Sequence, residues 1–336
     1  MQDTESEAAA DRDAAPLPEL PYLAPWYRVA HDGDRLVLSY AHGAVVLEGR
    51  AVELLMPVLL PLLDGTRTLT QIEQQVGQAA APAVRNALGT LASHGVLSEG
   101  PPLEAGTDAA AVSSARLVAA ASAGALSETA SREALRQAAV SVLGQGETAA
   151  ELLRQLRRSG VDAAGALDWD AEHELLQGTE LVIAAPEPSE LPKLTGWNEM
   201  ALRTATNWLQ VLPFDGRIAA VGPLYIPGHS CCYECYQRRR AANLSVSERD
   251  FWALEETPAA YPQAPALQAV AAGIATTLVL RWIGESAGGR TGSFIPGAMH
   301  AIEWDAGIDV QRHFVFRVPR CHACFGERGM PSPWHS

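Results

Sequence analysis

The sequence predicts an α/β protein in two domains, and three observations lead there. Residues 20–100 read as three short strands followed by three helices. From residue 115 onward strands and helices alternate, the pattern of a parallel sheet covered by helices on both faces. Two Cys-x-x-Cys pairs, Cys232/Cys235 and Cys321/Cys324, then frame the last third of the 336-residue chain.

The elements justify themselves in order. Trp26–Ala30, Arg35–Ser39 and Ala44–Leu47 read as strands, with Asp32-Gly33-Asp34 and His42-Gly43 as hairpin turns. Ala51–Leu63 is apolar and helical, although Pro57 and Pro61 predict a kink or an early end. Thr68 is placed to cap a short helix carrying Leu69, Ile72 and Val76. Pro82 opens a third helix, Pro82–His94, with Val84, Leu88 and Leu91 on one face. Gly95 ends it, which leaves Val96-Leu97 for a small strand. This order is that of a winged helix-turn-helix of the strand-first kind. Residues 101–114, rich in Pro and Ala and without periodicity, read as a linker.

In the second block, residues 115–328, Arg132–Ala138 reads as helix and Ala139–Leu143 as a buried strand. That strand runs into Gly144-Gln145-Gly146 and a helix over Thr148–Ser159. Leu181–Ala185 is a second apolar strand, Trp197–Trp208 a helix and Arg217–Val221 a third strand.

Composition narrows the function. The formal net charge of −14 argues against a nucleic-acid binder, which needs a basic stripe to displace counterions. On the helix Pro82–His94 the only basic side chain before the terminal histidine is Arg85. Residues 1–19 concentrate Asp3, Glu5, Glu7, Asp11, Asp13 and Glu19 among Ala and Pro, and read as a disordered acidic tail without the features of a signal peptide. Residues 329–336 read as a second tail. Ala266–Ile283 is the most apolar stretch, but Gln268, Thr276, Thr277 and Arg281 make a buried helix the better reading than a membrane span. An odd count of five cysteines, clustered in pairs, points to metal binding in the reducing cytoplasm rather than a disulfide framework.

A Cys-x-x-Cys turn can aim both sulfurs at one ion, and two such turns close a tetrahedral thiolate shell. Cys232, Cys235, Cys321 and Cys324 are therefore expected to hold a structural zinc ion, with no position open for catalytic water. The 85 residues between Cys235 and Cys321 make the ion a staple between distant segments. Cys231 is left as a buried or spare thiol, and His229, His313 and His322 as non-ligands.

Gly144-Gln-Gly146-Glu-Thr-Ala149 matches G-x-G-x-x-A between a strand and a helix, a setting in which backbone approaches phosphate. Glu147 places negative charge where a phosphate would sit. Ala163-Ala164-Gly165 occupies the region where a ribose-binding acid is expected, with Asp168 and Asp170 a little later. Gly144 and Gly146 read as an inherited turn that has lost its nucleotide.

Trp197-Asn198, Val221-Gly-Pro-Leu-Tyr-Ile-Pro-Gly228, Cys232-Tyr-x-Cys235 and Val318-Pro-Arg-Cys321-x-x-Cys324 resemble the ThiF-like proteins of ribosomal-peptide (RiPP) biosynthesis. The resemblance covers about residues 115–326 and implies a Rossmann-type fold, relatives that adenylate carboxylates, and a tendency to form homodimers. Residues 20–100 resemble the RiPP recognition element, a small winged-helix module related to PqqD. The pair, with no YcaO domain following, resembles stand-alone leader-peptide-binding partners of the azole-forming, YcaO-dependent (TOMM) cyclodehydratases. In that family a leader peptide adds as a strand to the third β-strand and packs on the third helix. The binding residues implied here are Ala44, Val45, Val46 and Leu47 on the strand, with Arg85 and Leu88 on the helix. Pro186-Glu187-Pro188-Ser189 departs from the adenylating pattern, because it lacks the aspartate and cations that hold magnesium and triphosphate. The expected role is capture of a precursor-peptide leader for a separate YcaO-type enzyme, without catalysis by this chain.

Overall fold

The computed structural model describes residues 17–40, 43–104, 106–170, 178–244, 263–288, 297–303 and 309–325. Residues 1–16 of the acidic tail, the whole tail at 329–336 and the turn residue His42 lie outside them. The chain divides into two compact units, Met1–Ala134 with Arg281–Thr291, and Leu135–Leu280 with Gly292–Ser336.

The first unit opens with β1 (Pro21–Leu23), followed by a three-stranded antiparallel sheet of β2 (Arg28–Asp32), β3 (Arg35–Tyr40) and β4 (Gly43–Glu48) in that order. Asp32 pairs with Arg35 across a tight turn that needs Gly33 at φ +58. Helices α1 (Arg50–Leu59), α2 (Leu69–Val76) and α3 (Ala81–Ser93) follow, and β5 (Leu97–Glu99) pairs antiparallel with β1. Helix α1 passes through Pro57 but gives way at Leu60–Leu62 to a 3-10 turn containing Pro61, so the expected helix ends four residues early. Thr68 caps α2 reciprocally: the Gln71 N–H donates to the Thr68 hydroxyl, and Gln71 Oε1 accepts from the Thr68 N–H at 2.8 Å.

Leu36 and Leu38 of β3 meet Val52, Leu55, Met56 and Leu59 of α1, Ile72 of α2, and Val84, Leu88 and Leu91 of α3 in one core. Each of the fully buried leucines contributes about 2 kcal/mol by leaving water. The tail is shorter than expected, because Leu17 packs on this core and the N–H groups of Glu19 and Leu20 donate to the Glu99 carboxylate, both at 2.7 Å. The linker is shorter too. Asp108 accepts the N–H groups of Ala110 and Ala111 and starts α4 (Ala109–Ala121), followed by α5 (Glu128–Gln137). An alanine-rich helix shows no amphipathic period, so the cap residue was its one local signal.

The second unit is built on a seven-stranded sheet in the order β12-β11-β10-β9-β8-β6-β7. Its strands are β6 (Val140–Leu143), β7 (Gly165–Leu167), β8 (Leu181–Ala184), β9 (Trp208–Leu212), β10 (Ile218–Tyr225), β11 (Ala298–Glu303) and β12 (Asp309–Phe314). The expectation of a parallel sheet holds for half of it. Strands β7, β6, β8 and β9 are parallel, whereas β9 to β12 pair antiparallel. The reason lies in the connection. Helix α7 (Lys193–Thr204) stops at Ala205, whose φ is +54, and Trp208 begins β9 instead of ending a helix. Five residues then lead into β10, enough for a hairpin and too few for the crossover a parallel pair needs. Strand β10 continues through a register shift between Val221 and Leu224, the bulge that Pro223 demands.

The remaining helices are α6 (Glu147–Arg158), α8 (Tyr233–Asn243) and α9 (Pro265–Ala287). Helix α9 is long and apolar enough to cross a membrane, yet 44% of its apolar window is buried inside the structure. Ala271, Ala275, Val279 and Ile283, spaced four apart along the helix, form that buried face.

Candidate metal centre, glycine turn and strand edge

Topology explains why the two cysteine pairs meet. Strands β10 and β12 are both antiparallel to β11, so they point the same way, and the segments that leave them exit one end of the sheet two strands apart. Cys232 follows β10 in extended conformation at the N-cap of α8, and Cys235 lies one turn further on. The segment after β12 supplies the second knuckle. There Arg320 takes φ +58, the Cys321 N–H returns to the Val318 carbonyl at 3.1 Å, and the Phe325 N–H to the Cys321 carbonyl at 2.9 Å.

The sulfurs of Cys232, Cys235, Cys321 and Cys324 all lie within 4.8 Å of one another. Three separations are 3.7 Å (Cys232–Cys235), 3.7 Å (Cys232–Cys321) and 3.6 Å (Cys235–Cys324). A tetrahedral zinc with sulfurs at about 2.3 Å requires edges of about 3.8 Å, so the four residues fit the ion. The Val318 N–H donates to Cys235 Sγ at 3.3 Å. Hydrogen bonds from the Cys232 and Cys324 thiols, with this N–H as a smaller contribution, hold the Cys235 thiol far below its ordinary value. Arg317 clamps the knuckle by donating to the carbonyls of Cys324 at 3.1 Å and Gly228 at 3.2 Å. Cys231 is buried but outside the cluster, and burial pushes its thiol up to about 12. His229, His313 and His322 are exposed.

Asn198 and Trp197 belong to the same construction. The Asn198 side-chain carbonyl accepts the Tyr233 N–H at 3.0 Å, so α7 satisfies a donor at the N-terminus of α8, beside the first cysteine. Trp197 packs edge-on to Trp208, which stacks on Tyr225 with centroids 4.3 Å apart. Sequence reasoning used these residues as a signature without a role, and the role is support for the knuckle.

At the other half of the sheet, Leu143 of β6 pairs with Ala184 of β8, which sets the two loops that follow side by side. Gly144 has φ +126, and any Cβ there would overlap the Ala185 carbonyl. At Gly146 a Cβ would overlap the Glu187 carboxylate. The Glu187 side chain thus lies against the glycine turn at the N-terminus of α6, the place that a phosphate takes in nucleotide-binding relatives of this turn. Glu187 is held there by a reciprocal cap with Glu190, and its N–H donates to the Glu190 carboxylate at 2.9 Å. Lys193, the cation nearest in sequence, stands 3.9 Å from that same carboxylate and 5.9 Å from the Trp169 ring centre.

Strand β7 ends at Leu167, so Asp168 directly follows it, a little beyond the spacing expected of a ribose-binding acid. Its carboxylate accepts from the Gln145 side-chain amide at 2.5 Å. The six residues between α6 and β7 displaced it from the expected spacing.

In the first unit β4 is an edge strand, paired among the described residues only with β3. Along it Val45 and Leu47 turn to the core while Ala44 and Val46 are exposed, Val46 by 43%. Leu88, expected to touch a peptide, is completely buried and belongs to the core instead. Arg85 is not free, because its Nε donates to the Glu73 carboxylate of α2 at 2.5 Å.

No protein-family model and no curated protein matches the chain. Solved structures do. The heterocyclase TruD superposes with a TM-score of 0.67 at 22% identity, over 91% of this chain and 43% of that one. A heterocyclase in complex with substrate and cofactor gives 0.65 at 23%, over 91% and 39%. E. coli MccB gives 0.63 at 15%, over 94% of this chain and 99% of its own. What is shared is a fold. The chain spans about two fifths of each heterocyclase.

Proposed function

We propose that this chain is a soluble, cytoplasmic, non-catalytic partner in ribosomal-peptide maturation. It would bind the leader of a precursor peptide along β4, in a winged-helix module of the recognition-element kind. It would present the core peptide to a separate YcaO-type enzyme that uses ATP to form azolines from Cys, Ser or Thr. Its fold likeness to heterocyclases and to MccB supports a place in such pathways. Strand β4 supports the mode, since an edge left unpaired by the described residues offers backbone hydrogen bonds and its outward residues can read alternate side chains. Tethering alone raises a substrate's effective concentration to the millimolar range.

The observation that carries the non-catalytic reading is Glu187 against Gly146. A carboxylate in a phosphate cradle repels ATP, and the loop around it lacks the cations that magnesium triphosphate requires. The zinc would be structural: Cys232, Cys235, Cys321 and Cys324 would hold it and tie the segment after β12 to α8. MccB has been solved with ATP, and Asp168 at the end of β7 favours the rival in which this chain also adenylates a carboxylate. Pyrophosphate exchange by the purified chain decides. Absence of exchange, together with binding of a labelled leader, is expected. Robust exchange overturns the non-catalytic role.

A further inference from the structure

We infer that β12 and the zinc knuckle beyond it form a second docking surface, which takes an acidic, extended segment of a partner protein as an added strand. The inference is independent of leader binding at β4, because it rests on a different surface in the other unit.

All six residues of β12 are exposed, and it is the terminal strand of the seven-stranded sheet. The other terminal strand, β7, has only three residues, of which Gly165 and Leu167 are half-buried, so the two edges are not alike. Alternation puts Val310, Arg312 and Phe314 on one face of β12, with the Arg312 guanidinium 5.2 Å from the Phe314 ring centre. A charge on an edge strand can simply block pairing. Here, however, exposed apolar groups accompany it: Val310 at 44%, Phe314 at 41%, Phe316 at 69% and Phe325 at 42%. Arginine among aromatic rings is the composition of interface centres, not of a protected edge.

The charge says what would cover it. The chain carries −14 overall, yet residues 228–244 and 309–325 hold six arginines against Glu234 and Asp309. The excess remains positive after counting the two negative charges of a zinc ion bound by four thiolates. These arginines are spatially connected to the rings. Arg239 donates to the backbone carbonyls of Phe316 at 3.5 Å and Arg317 at 3.2 Å, and Arg317 in turn holds the carbonyl of Cys324, next to Phe325. A strand lying beside β12 would set a carboxylate across from Arg312 and apolar side chains across from Val310 and Phe314. A second copy of this chain would instead bring arginines against arginines across a two-fold axis.

The test uses the full chain and two fluorescein-labelled peptides. One alternates serine with valine, glutamate and valine, and the other replaces glutamate by lysine. Fluorescence anisotropy should show binding of the glutamate peptide, weakened by salt and lowered about tenfold or more in the Arg312→Glu/Arg320→Glu variant. Phe316→Ser, a change at an exposed ring, should weaken it while zinc content and thermal unfolding stay at the wild-type values. Equal binding of both peptides, or an unchanged affinity in the charge-reversed variant, overturns the inference. So does light scattering that shows a wild-type dimer converted to monomer by the same variant, because the occupant is then a second copy.

Discussion

The two halves of the seven-stranded sheet each carry a sequence motif, and the structure treats the motifs oppositely. In the antiparallel half the cysteine pairs converge until their sulfurs have the spacing of a zinc shell. In the parallel half the glycine turn keeps its geometry, but Glu187 from the adjoining loop lies in its cradle. A motif therefore reports which backbone path is possible, whereas the neighbouring strand's loop decides whether a ligand can use it. Cysteine spacing encodes the ligand itself, and glycine spacing encodes only room for one.

The comparison is broken most directly at the metal. Cys235→Ser should release the zinc, read by inductively coupled plasma mass spectrometry, and destabilise the second unit by about 4 kcal/mol or more. That corresponds to a fall of roughly 8–16 °C in its unfolding temperature. A variant that unfolds at the wild-type temperature would mean that the four sulfurs do not serve as a staple. Leu88→Ala comes next, with an expected loss of about 2–5 kcal/mol in the first unit by urea unfolding, since Leu88 is wholly buried. Leader affinity of the folded protein should not change. A loss of affinity without a loss of stability would return Leu88 to the peptide-binding surface.

Val46→Asp probes the edge that Leu88 does not. The side chain is 43% exposed, so stability should shift by only about 0.5 kcal/mol. Leader binding should weaken about tenfold, roughly 1.4 kcal/mol, through charge placed on the augmenting face. Unchanged affinity would move the leader away from β4. Glu187→Ala sharpens the glycine-turn half. It should raise affinity for magnesium ATP severalfold by calorimetry, and lose about 1 kcal/mol of stability with the cap it shares with Glu190. If ATP binds no better, Glu187 is not what closes the turn.

How much of this was legible in the sequence depends on the range over which each feature is encoded. The cysteine cluster was readable because two local spacings specify it, and the Thr68 cap because its partner Gln71 is three residues away. Strand β9 was lost because only the short break Ala205-Thr206-Asn207, with Ala205 left-handed, separates Trp208 from α7. Strand β12 was lost because an edge strand exposed on both faces has no buried alternation to display. Glu187 against Gly146 depends on β6 pairing with β8, a contact across some forty residues that no local pattern announces. The same holds for Arg85, which the helix pattern left unpaired and the fold gives to Glu73 on the preceding helix.

That ion pair yields the smallest effect and a pH dependence of definite sign. The hydrogen bond from Arg85, together with its charge, holds the Glu73 carboxyl below its ordinary value. A carboxyl lowered in the folded state adds stability above its unfolded value of about 4.3, and loses it as pH falls through the folded value. The unfolding temperature of Arg85→Ala should therefore lie slightly below wild type at neutral pH, and the gap should close below about pH 4 and at high salt. A gap that persists in acid would show that the pair does not form in solution, leaving the guanidinium available to an acidic leader. Glu73→Gln completes the argument from the other side. If Arg85 meets the leader, freeing it from Glu73 should tighten leader binding at neutral pH, and that gain should vanish when Arg85 is also replaced by alanine.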